Sequence, residues 1–338
     1  MNTIQSIIPK DYSGSVLVKK DRKTLFKQAF GFRDIPNKIP NEIDTKFATA
    51  SAGKFFVAVG IMKLIEKGAL KLTDTIGSIL DFDLHDIDPL ITIEQLLTHT
   101  SGIPDYFDES VMDEYADLWV DYPCYKIRRS KDLLPLFINK PMMYARGEKF
   151  QYNNTGFVVL DLVIEAVTSM KFDEYLNREV FIPCGMSNTG YYEMDRLPSN
   201  CANAYIWDEE RNEFYTNMFS VDTKGTGAGG AFTTVNDISK FWDALLNGSL
   251  LSKKIVETMF SVHASEGEDY YGYGVWLKKT DTGITPFFQG CDPGVSFISS
   301  YDTDNAIEIT ITSNLCNNVW ELEGKISEIT SGEKAKDH

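Results

Sequence analysis

The chain has 338 residues, 43% of them hydrophobic, enough apolar material for a sizeable core, and its 24 glycines and 12 prolines exclude collagen-like and disordered classes. Thirty-three basic residues against 49 acidic ones leave a formal net charge of −16. That balance argues against nucleic acid or an anionic membrane as partner, since both require a positive face.

The N-terminal MNTIQSIIPKDYSG is too polar for a secretory leader, and the longest apolar stretch, Phe55 to Met62, is too short to span a bilayer. The expectation is a soluble, cytoplasmic protein with no membrane span. In chain order, GSVLVKK and TLFKQAFGF around Asp21, Arg22 and Lys23 predict a hairpin over 14–32. A helix opens near Ser51 and runs through FFVAVGIMKLIEKG, with Gly68 placed to end it. From 75 to 185 helical patterns alternate with loops and no strand is predicted. Beyond 185, NDISKFWDALLNG reads as a helix, followed by the short β-runs YGYGVWL, TPFFQG, VSFISSY and NAIEITITS and a last helix, NVWELEGKISEI. Ile307, Ile309 and Ile311 alternate with polar residues, the period of a strand with one buried face. The expected fold is α/β: an antiparallel sheet flanked by helices, built from 1–74 and 186–338, with a helical domain, 75–185, inserted between.

Five cysteines (Cys124, Cys184, Cys201, Cys291, Cys316) and four histidines (His85, His99, His263, His338) are scattered, and no Cys-x-x-Cys occurs. Neither a disulfide framework nor a metal site is suggested, and no cofactor is expected. Gly225-Thr226-Gly227-Ala228-Gly229-Gly230 satisfies Gly-x-Gly-x-x-Gly, but the next helix starts only near Asn236, so a dinucleotide cradle has no support.

Ser51-Ala52-Gly53-Lys54 places a hydroxyl and an amine three residues apart, on one helix face. Serine is a poor nucleophile without an adjacent base. A lysine serves as that base only if burial or a second cation lowers its pKa. The pattern alone is unspecific, because Ser331-Gly332-Glu333-Lys334 in the charged tail also matches it. Three longer segments carry more: FATASAGKFFVAVGIMKLIEKGALKLTDTI, ITIEQLLTHTSGIPDY and RGEKFQYNNTGFVVLDLVIEAVT, followed by TGAGGAFTTVNDISKFWDALLNG and YGYGVWL. In this order they resemble the serine β-lactamase and penicillin-binding-protein superfamily, in its class C-like branch, from about Gly14 to Asn314.

The resemblance implies a β-lactamase/transpeptidase-like fold and a covalent acyl-enzyme, with Ser51 as nucleophile and Lys54 as activating base. Of three Tyr-x-Asn matches (Tyr152, Tyr175, Tyr215), Tyr152-Asn153-Asn154 has the family's context, so Tyr152 becomes the second proton carrier and Asn154 the group holding lysine and substrate. A phenol beside a cationic lysine is expected to ionise more easily. His99 becomes a structural loop residue, and the Gly225–Gly230 loop a neighbour of the cleft. Where the family carries Lys or His, any residue, then Gly, this chain has Phe288-Gln289-Gly290, read as substrate-binding residues. Main-chain N–H groups of Ser51 and Cys291 would form the oxyanion hole. The missing cation removes a partner for a substrate carboxylate, so a small neutral ester or amide is the favoured substrate. A β-lactamase, D,D-peptidase or D-amino-acid amidase is the alternative, and a non-catalytic binding protein the third reading. Tyr106 to Tyr125, rich in aromatics and acids, reads as a lid over the cleft or as a solvated helix–loop.

Overall fold

The computed structural model describes residues 2–280 and 283–332. Lys334 of the second Ser-x-x-Lys and His338 lie outside the described residues.

One sheet organises the molecule. Strands β1 (Gly14–Lys20) and β2 (Lys23–Phe30) come from the N-terminal end. Strands β3 (Ala264–Glu266), β4 (Asp269–Tyr271), β5 (Trp276–Lys279), β6 (Ile284–Asp292), β7 (Val295–Asp302) and β8 (Ile307–Ser313) come from the C-terminal part. Their order is β2-β1-β8-β7-β6-β5-β4-β3, with every pair antiparallel. Asp21 and Arg22, at φ 49° and 62°, make the tight turn between β1 and β2, the left-handed pair that matches the strands' twist. No strand occurs between Ala48 and Tyr205 among the described residues.

Helix α1 (Gly53–Glu66) follows a single 3₁₀ turn, Ala50–Ala52, and its FFVAVGIM run is buried on every side. It is therefore a central helix rather than a surface one. Gly68, at φ +72°, ends it in the left-handed conformation that glycine adopts without strain. Helix α2 (Asn154–Thr168) crosses it, and α3 (Val235–Leu246) brings Phe241 and Trp242 against Phe55. Helix α4 (Val319–Ser331) covers the opposite face of the sheet, packing Val319, Leu322 and Ile326 on Val16, Ile309 and Ile311.

Strand β8 departs from the one-face expectation, because all seven of its residues are buried. The isoleucines face α4, while the polar positions face α3 and the neighbouring strands. There Glu308 accepts from Ser239 Oγ at 3.1 Å and ion-pairs with Lys19 at 3.4 Å, and Thr310 hydrogen-bonds Ser299 at 2.9 Å. A central strand covered by helices on both sides keeps alternating chemistry without alternating exposure.

Candidate active site

Ser51 sits in the turn that leads into α1, where main-chain N–H groups and the helix dipole favour developing negative charge. Two glycines press on its backbone. A Cβ on Gly290 of β6 would stand 2.2 Å from Thr49 O and 2.6 Å from Ser51 N; one on Gly229 would stand 2.5 Å from Ala50 O. Ala50 itself is held at φ +47°, left-handed and fully buried. Such a conformation costs of order 1–3 kcal/mol and persists only where its surroundings enforce it.

Lys54, one turn on, is 2% exposed and donates to Ser51 Oγ at 2.9 Å, to Asn154 Oδ1 at 2.8 Å and to the carbonyl of Ala228. Burial lowers its pKa to about 8, against the opposing pull of Glu109, then Asp105, Asp292 and Asp222. At pH 7 roughly one amine in ten is then neutral, against about one in two or three thousand for a free lysine. A neutral amine keeps its two hydrogens on Asn154 and Ala228, and its lone pair faces the serine hydroxyl.

Asn154 is positioned by the start of α2, which is capped twice. Asn153 Oδ1 accepts from Gly156 N at 2.8 Å, and the Asp105 carboxylate accepts from Asn154 N at 2.7 Å and Thr155 N at 3.0 Å. Burial raises the pKa of Asp105 to about 6, with those N–H bonds acting against it. Tyr152 lies just before the cap. Its ring stacks on Trp276 at 5.9 Å, and Lys54 Nζ lies 5.0 Å from the ring centroid. Contrary to the sequence expectation, its pKa is driven well up, chiefly by burial and then by Glu109. The dry surroundings that lower the lysine raise the phenol. Tyr152 is therefore held neutral, while Lys54 is the group whose hold on its proton is weakened.

The other two Tyr-x-Asn matches lie elsewhere. Tyr175 is buried and donates to Gly60 O at 3.1 Å, and Tyr215 is 46% exposed at the cleft rim. His99 is structural: Nδ1 accepts from Asn153 N at 3.1 Å, so Nε2 carries the hydrogen and donates to Tyr271 Oη at 3.1 Å. Burial, then Lys54, holds its pKa well down, so the ring is neutral.

Phe288 and Gln289 do not touch the cleft, so their reading as substrate-binding residues is corrected. Neighbours on a strand face opposite ways. Phe288 turns into the core, with ring centroids 5.0 Å from Phe55 and 5.6 Å from Trp242, and Gln289 turns to the other face, accepting from Trp320 Nε1 at 2.6 Å. Gly290, also absent from the lining, is the spacer that lets β6 approach Ser51. The β5 ladder on β6 ends at Phe287, so from Phe288 onward β6 pairs with β7 alone and its free edge runs toward Ser51.

A cavity of about 740 Å³ opens on Ser51 and Asn154. Among the described residues its lining holds five carboxylates (Glu109, Asp113, Glu114, Asp222, Asp292) and no lysine, arginine or histidine. Only the first part of the 106–125 segment lines it, up to Ala116: Tyr106, Phe107 and Tyr115 form part of the wall, and Tyr115 Oη donates to Asp222 at 2.7 Å. Burial lifts the pKa of Asp222 to about 6, and burial together with Asp222 lifts that of Asp292 to about 8. The Gly225–Gly230 loop flanks the same cavity, tied to α2 by Gly227 N donating to Asp161 at 2.6 Å. Asp105, Asp222 and Asp292 were not singled out from the sequence. Asp105 follows the THTSG loop directly, but nothing local joins it to a helix start 49 residues later. No group of three or more His, Cys, Asp or Glu that would hold a metal occurs among the described residues.

Sheet, flanking helices and a serine–lysine pair at a helix start define a β-lactamase/transpeptidase-like fold. The profile of the family described as Beta-lactamase matches residues 11–321. The chain belongs to that family. It is 28% identical to penicillin-binding protein 4* of Bacillus subtilis (strain 168) over 319 residues, 90% of this chain and 68% of the relative. A solved penicillin-binding protein from Bacillus halodurans superposes with a TM-score of 0.92 at 38% identity, covering 97% of this chain and 99% of that one. The D-amino acid amidase of Ochrobactrum anthropi SV3 shares the fold, with a TM-score of 0.80 at 20% identity over 98% and 99% of the two chains. No helix among the described residues is long and apolar enough to cross a membrane.

Proposed function

We propose that the protein is a serine hydrolase that cleaves small esters or amides lacking a carboxylate, through an acyl-enzyme on Ser51. The observation that carries this reading is the buried Lys54 amine, 2.9 Å from Ser51 Oγ with its other hydrogens fixed on Asn154 and Ala228. Lys54 takes the hydroxyl proton as Ser51 attacks the carbonyl carbon. The N–H groups of Ser51 and Cys291 receive the oxyanion at the free edge of β6. Tyr152, whose ring centroid lies 5.0 Å from Lys54 Nζ, passes a proton to the leaving oxygen or nitrogen. Water then attacks the acyl carbon with the same groups in reverse, releasing the acid and restoring Ser51.

The cavity wall supports the substrate class. Among the described residues the lining carries five acidic groups and no cation; those that stay ionised repel a substrate carboxylate, and like charges brought together cost several kcal/mol. Asp292, lifted toward neutrality beside Asp222, is returned to ordinary ionisation by a substrate ammonium. Neutral and cationic acyl groups therefore fit better than β-lactams or peptide stems ending in a carboxylate. The test is a matched series of p-nitrophenyl esters and anilides whose acyl chain ends in methyl, ammonium or carboxylate, with a chromogenic cephalosporin alongside. The expected kcat/KM order is ammonium, methyl, then carboxylate, with the last at least about tenfold down. Fastest turnover of the carboxylate ester or the cephalosporin contradicts the substrate class, and no turnover of any contradicts the hydrolase.

A further inference from the structure

Cys291 and Cys316 are 25 residues apart in sequence, and the topology brings them together at the cleft. Cys291 is the penultimate residue of β6, and Cys316 follows β8, three residues beyond Ser313. Strand β7 lies between, with Ser296 paired to Cys291 on one side and to Ser313 on the other. The loop after β8 folds back across the end of β7 and sets the two Sγ atoms 3.8 Å apart. Both thiols are solvent-accessible, unpaired with any other cysteine, and part of the lining of the Ser51 cavity. Cys316 is held at φ +56°, a left-handed conformation that a residue with a side chain adopts at a cost, and its remaining contacts are long ones to the carbonyls of Asp292 and Val295 at 3.8 and 3.7 Å.

We propose that Cys291 and Cys316 form an oxidisable dithiol whose conversion to a disulfide slows acylation of Ser51. The proposal rests on the acyl-enzyme reading for its effect, but not for its chemistry. The oxidant is a low-molecular-weight disulfide. The Cys316 thiolate attacks one of its sulfurs and releases one thiolate. Cys291, having given up its proton, then displaces the second thiolate from Cys316. Two protein thiols become one S–S bond, the small disulfide is reduced to two thiols, and the two protons pass to them. The contact with Cys291 holds the Cys316 thiol below its usual value, which favours it as the attacking thiol. Bonding draws the sulfurs from 3.8 Å to about 2.05 Å, a displacement taken up beside the Cys291 N–H that serves the oxyanion. Oxyanion donors work only within about half an ångström of their place, and loss of one costs about 10²–10³ in rate.

The experiment incubates the full chain with oxidised glutathione. It then counts thiols after unfolding, maps cross-linked peptides by mass, and measures the rate of fluorophosphonate labelling before and after reduction. The expected result is a fall from five thiols to three, a Cys291–Cys316 peptide, and labelling slowed at least about tenfold and restored by dithiothreitol. Cys316→Ser should keep the reduced protein's labelling rate and lose its response to oxidant. Five persistent thiols, a glutathione adduct on Cys316 without the cross-link, or a cross-link that leaves labelling unchanged each overturn the proposal. If reduced native protein is never labelled, the hydrolase reading fails, while the thiol count and the peptide map still judge the dithiol.

Discussion

The floor and the rim of the cleft handle charge in opposite ways. On the floor a single amine is buried among an amide oxygen, a carbonyl and a phenol, with no carboxylate in contact, and loses part of its affinity for the proton. At the rim, among the described residues, five carboxylates stand without a lining cation, and those at Asp222 and Asp292 gain affinity for theirs. Burial lies behind both shifts, since low dielectric disfavours whichever form is charged. The same loss of water thus makes the floor amine easier to deprotonate and the two lining carboxyls easier to protonate.

The comparison breaks most readily at the floor. Lys54→Met removes the base and leaves the fold's volume nearly intact, so acylation by a fluorophosphonate should fall by about 10²–10⁴ with little change in Tm. Gly290→Ala attacks the floor through the backbone: its methyl meets Thr49 O and Ser51 N, and displacing Ser51 by an ångström should cost about 10²-fold in labelling, with a measurable drop in Tm.

Phe288→Ala sharpens the comparison from beneath. The side chain is 2% exposed among Phe55, Phe241 and Trp242, so its loss should cost about 3–5 kcal/mol in denaturant unfolding. The preference between ammonium and carboxylate esters should not move. A changed preference would return Phe288 to the substrate site. The smallest effect links floor to rim. In the proposed mechanism neutral Lys54 takes the proton; with its pKa lowered to about 8, acylation should rise with pH through about 8 and fall roughly tenfold per unit well below it. Glu109 is the strongest of the carboxylates holding the proton on Lys54, the others being Asp105, Asp292 and Asp222. Glu109→Gln should therefore move the midpoint of the labelling–pH profile downward, and an upward move would reverse the assigned coupling.

The floor was largely legible in the sequence because its parts lie on helix starts. Ser51 and Lys54 are one turn apart, and Asn153 and Asn154 open α2 after an ordered run of family-like segments. The antiparallel sheet was legible from β-runs at both ends of the chain. The rim was not. Asp222, in a loop, and Asp292, at the end of β6, become neighbours only through the fold, and no local periodicity announces that. Phe288 misled for a related reason. Matching a motif position assigns a residue to a strand, but the packing of α1 and α3 decides that its ring goes inward. The easier ionisation expected of Tyr152 failed because proximity to a lysine was considered without the burial that opposes it.

The most direct test of the central claim is intact-mass and peptide-mass analysis of the native chain after fluorophosphonate treatment across pH 6 to 10. The account requires one adduct, carried by Ser51, absent from Ser51→Ala, and formed at a rate that climbs through a midpoint near 8. An adduct on another residue, or a rate on Ser51 that ignores pH across that range, would contradict a serine activated by the buried amine of Lys54.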